Sequence, residues 1–181
     1  MKKIVTMTIA SALLGFSSIA HAGTEASLTE DQVTELKKAW GDGIVKIGKV
    51  HTAGGDYRNS AREHIERFYA YGKDTVLFKP TLASQDQFRG TFDEALSYFV
   101  GGKIAEDGGF AIAPYTAVRW ESEGINITGN TALTMGNYYF TKTDGSEVKV
   151  EYTFGFEKLD GGDVKIVLHH SSLPFSPQKE S

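Results

Sequence analysis

The chain contains no cysteine. That absence excludes disulfides, thiolate metal sites and cysteine nucleophiles. Clusters of Lys and Arg are also missing, and the formal net charge is −4. Nothing therefore offers a phosphate-tracking face to nucleic acid. No nucleophile-elbow motif occurs, which argues against acyl transfer by a serine. No glycine-rich phosphate cradle follows a strand. Beyond the N-terminus, no apolar stretch is long enough to span a bilayer. Internal repeats and low-complexity segments are lacking as well.

What is present is ordinary for a soluble globular chain: 181 residues, 40% hydrophobic and 23% charged. That length suggests one domain with a real core. Lys2 and Lys3, the apolar run that follows and the "AHA" ending at Ala22 read as an export signal cut after Ala22. The expectation is a signal at residues 1–22 and a single domain over 23–181. After cleavage it would be free of the membrane, in the periplasm or secreted.

"SLTEDQ" is a helix start. Thr29 and Gln32 form a capping box, and Leu28 and Val33 a hydrophobic staple. Val33, Leu36, Trp40, Ile44 and Ile47 then recur at helical spacing. "YRNSAREHIERFYAYG" predicts a second helix. "TVLFKPTLA" reads as a strand up to Pro80, on an edge or at a bulge because proline donates no hydrogen bond. "TFDEALSYFVGG" is a third, short helix. Strands follow at about 115–128, 131–143, 147–158 and 164–172, joined by "GN", "TDGS" and "LDGGD". Helices followed by a meander predict an α+β fold, with the N-terminal helices packed on a curved antiparallel sheet that forms a cone around a pocket.

The last strand carries "HHSSLP". Neighbouring strand residues point to opposite faces, so His169 and His170 cannot share a metal ion. His170 and Ser172 fall on the face of Val164, Ile166 and Leu168, which predicts that this pair enters the pocket. A bulge would reverse the phase and bring in His169 and Ser171. His51 and His64 add no ligand spacing that recommends zinc. The reading of a polar strand end that merely satisfies itself stays open at this point.

Together, "VLFKPTLA", "QFRGTFDEALSYFVGG", "MGNYYF", "VEYTFGFEK" and "HHSSLPF" resemble, in order, the bacterial iota-class carbonic anhydrases. These are similar to the association domain of calcium/calmodulin-dependent protein kinase II, within the nuclear-transport-factor-2-like superfamily. The resemblance runs from about Trp40 to Phe175. It implies a cone-shaped fold, a homodimer or higher homo-oligomer, and reversible hydration of carbon dioxide to bicarbonate. It also implies a pocket without an essential metal, with Mn or Zn as the alternative. By motif it carries the catalytic set onto Thr81 of "FKPT", Tyr98 of "SYF", and His170 with Ser172. His169, Ser171, Arg89 and Tyr139 stand as secondary substrate-binding candidates. The same fold also serves non-catalytic ligand-binding and oligomerisation modules, and fold alone does not give function.

Overall fold

The computed structural model describes residues 27–177; the expected export segment, residues 1–22, lies outside them. Helix α1 spans Glu30–Thr52. The Thr29 hydroxyl accepts from the Gln32 N–H at 3.2 Å and the Gln32 side chain accepts from the Thr29 N–H at 3.0 Å, closing the expected capping box. The helix runs five residues past Ile47, with Lys49 and His51 in its last turn, where positive charge suits the helix dipole. Three glycines, Gly41, Gly43 and Gly48, sit inside it at a cost in helix propensity of about 1 kcal/mol each. Close packing explains them. The Val118 side chain lies against Gly41, the His64 imidazole against Gly43 and the Ala113 carbonyl against Gly48, and none of the three leaves free room for a methyl group.

Helix α2 spans Tyr57–Phe68, with the Asp56 carboxylate accepting from the Asn59 N–H at 2.9 Å. Its buried face, Ala61, His64, Ile65 and Phe68, packs on α1. Strand β1 is only Leu77–Lys79, since Pro80 ends it. Helix α3 (Phe92–Val100) is closed by a Thr91–Glu94 capping box and by Gly101 at φ 76°, a left-handed value that glycine adopts freely. A 3-10 turn follows at Phe110–Ile112. Strands β2 (Ala117–Thr128), β3 (Thr131–Thr141), β4 (Glu147–Lys158) and β5 (Val164–Ser172) form the meander.

The sheet order is β1-β5-β4-β3-β2. The meander is antiparallel as expected, but β1 joins the edge in parallel, pairing Phe78 with His169, so the sheet is mixed. Both outer meander strands are irregular, β2 at Ser122–Gly124 and β5 at Val167. Bulges of this kind bend and twist a sheet, which helps it curl around α1. Trp40 is the hub of the core. Its ring meets Trp120, Tyr138, Phe154 and His169 from the sheet, and His64 and Phe110 from the other side.

The Val167 bulge corrects the expected strand phase. Gly155 pairs with Leu168 and Phe156 with Ile166, so Val167 has no partner. Alternation restarts one residue late. Ile166 points inward, and so do His169 and Ser171, both buried. His170 is exposed on the outer face, and the Ser172 hydroxyl donates to Glu151 there at 2.9 Å. The local cause lies at Gly155 and in the chain leaving α2. Gly155 lets the Leu168 side chain come close across the pair. Tyr69 bridges to Ile166, whose carbonyl accepts from Ala70.

Candidate active site

A cavity of about 70 Å³ lies between the inner sheet face, α3 and the segment after β1. Its lining is Trp40, Thr81, Leu82, Tyr98, Phe110, Tyr115, Tyr138, Phe140, Val148, Val150, His169, Ser171 and Leu173. None of these carries a carboxylate, ammonium or guanidinium. The polar groups cluster. Thr81 Oγ1 donates to Ser171 Oγ at 2.9 Å. The Leu82 N–H donates to the Tyr98 hydroxyl at 3.3 Å. The Tyr138 hydroxyl lies 3.5 Å from His169 Nε2.

These side chains are delivered by four separate parts of the chain. Pro80 stops β1 and turns Thr81 toward β5. Tyr98 sits on the buried face of α3. Tyr138 shares the inner face of β3 with Thr134 and Phe140. The bulge supplies His169 and Ser171. Phe78 and Phe154 stack on either side of the His169 ring, with centroids at 4.8 and 4.1 Å. They cover the ring, which is buried.

Burial sets the protonation states. It pushes the His169 imidazole down to about 3, with smaller contributions from His170 and His64. It pushes the Tyr98 phenol up to about 12, against hydrogen bonds from Leu82 and Thr81. Tyr138 is also held above its ordinary range by burial, with hydrogen bonding to Ser171 and Thr81 opposing. Near neutral pH the pocket is thus a set of uncharged groups: hydroxyls, phenols and one neutral imidazole.

Of the sequence candidates, Thr81, Tyr98, His169 and Ser171 come together, whereas His170 and Ser172 do not. Arg89 is fully buried but does not line the cavity. Its guanidinium pairs with Asp107 at 2.6 Å and donates to the Asp86 and Phe88 carbonyls. It therefore fastens the segment that carries Thr81. Tyr139 lies on the outer face, donating to Glu121 at 2.7 Å beneath the Arg119 guanidinium. Tyr138 is the residue the sequence reading passed over. Its signal was its place in register with Phe140, whereas Tyr139 alternates with Asn137 and Thr141. Among the described residues no group of three or more His, Asp or Glu side chains is placed to hold a metal ion. The donor set of one imidazole and several hydroxyls fits neither Zn nor Mn.

Helices folded into a strongly curved sheet around such a pocket define the nuclear-transport-factor-2-like class. A structure from that family in Streptomyces avermitilis shares the fold at 16% identity and TM-score 0.51, over 81% of this chain and 96% of that one. Residues 31–173 match the family described as metal-independent carbonic anhydrase. A protein of that name from Nostoc is 42% identical over 164 residues, covering 88% of this chain and 80% of its own length. A cyanobacterial iota-carbonic anhydrase, crystallised with bicarbonate, superposes with TM-score 0.81 at 40% identity, over 83% of this chain and 95% of that one. The chain belongs to the metal-independent carbonic anhydrase family.

Proposed function

We propose that this chain interconverts carbon dioxide and bicarbonate in the pocket of Thr81, Tyr98, Tyr138, His169 and Ser171, with no metal. The observation that carries the proposal is the convergence of five uncharged polar side chains on one small, largely apolar cavity. The cavity, about 70 Å³, is several times the roughly 10–15 Å³ that admits one water, which suits carbon dioxide and its attacking water. Water adds to the carbon, one C=O electron pair moves onto oxygen, and one proton is released. Negative charge grows on the substrate oxygens, where neutral donors already aimed at them stabilise the transition state more than the ground state. The hydroxyls both donate and accept, so they can pass the proton toward solvent through Thr81, the half-buried member. The bicarbonate held by the cyanobacterial relative supports a product of this size and charge.

Stopped-flow hydration of carbon dioxide before and after exhaustive chelation tests the reading. Activity should survive chelation. A chain inactive when intact, or one restored only by Mn or Zn, would overturn it.

The same proposal includes a homodimer and export. The outer sheet face exposes Leu77, Leu133 and Met135 beside Leu168, an apolar stripe suited to a second copy. Light scattering at micromolar concentration should give at least twice the monomer mass. Export to the periplasm or medium rests on the pattern of residues 1–22, and the intact mass of exported protein should begin at Gly23.

A further inference from the structure

We propose that Trp40 and Tyr69 fix His169 as the Nε2–H tautomer, so that the imidazole faces the pocket as a hydrogen-bond donor and not as a base. This rests on the pocket assignment above.

Donor counting carries the argument. The Trp40 indole nitrogen can only donate. It donates to the Tyr69 hydroxyl at 3.1 Å. That oxygen stands 2.8 Å from His169 Nδ1. Tyr69 is buried, and burial pushes its phenol well above the ordinary range, so it remains an O–H with one hydrogen to place. With Trp40 supplying one bond to its oxygen, that hydrogen goes to Nδ1. The other arrangement puts Nδ1–H and the indole N–H both onto Tyr69 and leaves the Tyr69 hydrogen buried without an acceptor, at a cost of about 1–3 kcal/mol. Only the first arrangement satisfies all three groups.

With Nδ1 accepting, Nε2 bears the hydrogen. Nε2 faces the Tyr138 hydroxyl at 3.5 Å, a long contact that leaves this donor free to strengthen its bond to a developing oxyanion. The flanking Phe78 and Phe154 rings hold the imidazole plane. Trp40 and Tyr69 are thus positioning residues, acting on the reaction through His169.

The test begins with the wild-type protein labelled with ¹⁵N-histidine. Long-range ¹H–¹⁵N correlation distinguishes the two tautomers and the imidazolium, and His169→Gln identifies the signal by its loss. We expect Nε2–H with Nδ1 unprotonated throughout pH 5–8. An Nδ1–H tautomer, or an imidazolium forming in that range, overturns the proposal. Tyr69→Phe should then mix the tautomers and lower kcat about 10-fold or more, with KM changed little. Wild-type tautomer and wild-type kcat in that variant would also overturn it. Should Tyr69→Phe not fold, the wild-type spectrum decides alone. A correct tautomer in a chain without hydration activity defeats the functional reading and leaves the tautomer assignment standing.

Discussion

A single hydroxyl is the unit of chemistry in this pocket. Thr81→Ala, Tyr98→Phe, Tyr138→Phe and Ser171→Ala each remove one donor and little volume. Each should lower the hydration rate by about 10- to 1000-fold if its bond strengthens in the transition state. Folding should change by only about 1 kcal/mol per bond lost. His170→Ala and Ser172→Ala, on the outer face, should keep wild-type rates in the same assay. His169 separates donor from base. Gln can present an amide N–H near the position of Nε2 but cannot accept a proton as imidazole does, and Leu can do neither. We expect His169→Gln to retain more activity than His169→Leu. Equal loss in both would favour a basic histidine.

At the scale of the element, the informative parts are those where a local rule is broken. Glycine to alanine inside a helix normally stabilises by about 1 kcal/mol. Gly48→Ala in α1 should do the reverse, because its methyl meets the Ala113 carbonyl. Urea unfolding should show a lower midpoint at unchanged slope, and a gain in stability would refute the packing account. The same contrast explains what could be read from sequence. The capping box at Thr29 depends on residues three apart, and it was legible. So were β4 and β5, whose ends are marked by turn residues. The phase of "HHSS" was not. It depends on Val167 bulging, which is set by Gly155 on the neighbouring strand and by Tyr69 bridging from beyond α2. The parallel pairing of β1 likewise joins segments about 90 residues apart. Arg89 looked the same in sequence whether it oriented substrate or closed an ion pair. Only the fold brings Asp107 to it.

For the molecule as a whole, two neutral imidazoles lie in the core. Burial pushes both His64 and His169 to about 3, from 6.5. Below pH 6.5 the unfolded chain takes up a proton on each, and the folded chain does not until about pH 3. Stability should therefore be fully present above pH 6.5 and fall as pH drops through that window. The slope well inside it is about 1.4 kcal/mol per pH unit for each histidine. Urea midpoints between pH 7.5 and 4 check this, and His169→Gln should flatten the slope. A wild-type midpoint independent of pH would contradict neutral burial. The uncharged lining of the cavity also bears on how long a product stays. An anion drawn to a fixed cation must break an ion pair to depart. Here the Arg89 guanidinium, 5.9 Å from the centre of the Tyr98 ring, is already neutralised by Asp107. Bicarbonate held by dipoles alone should leave sooner than one paired with a fixed cation. A catalyst built this way equilibrates carbon dioxide and bicarbonate without storing either.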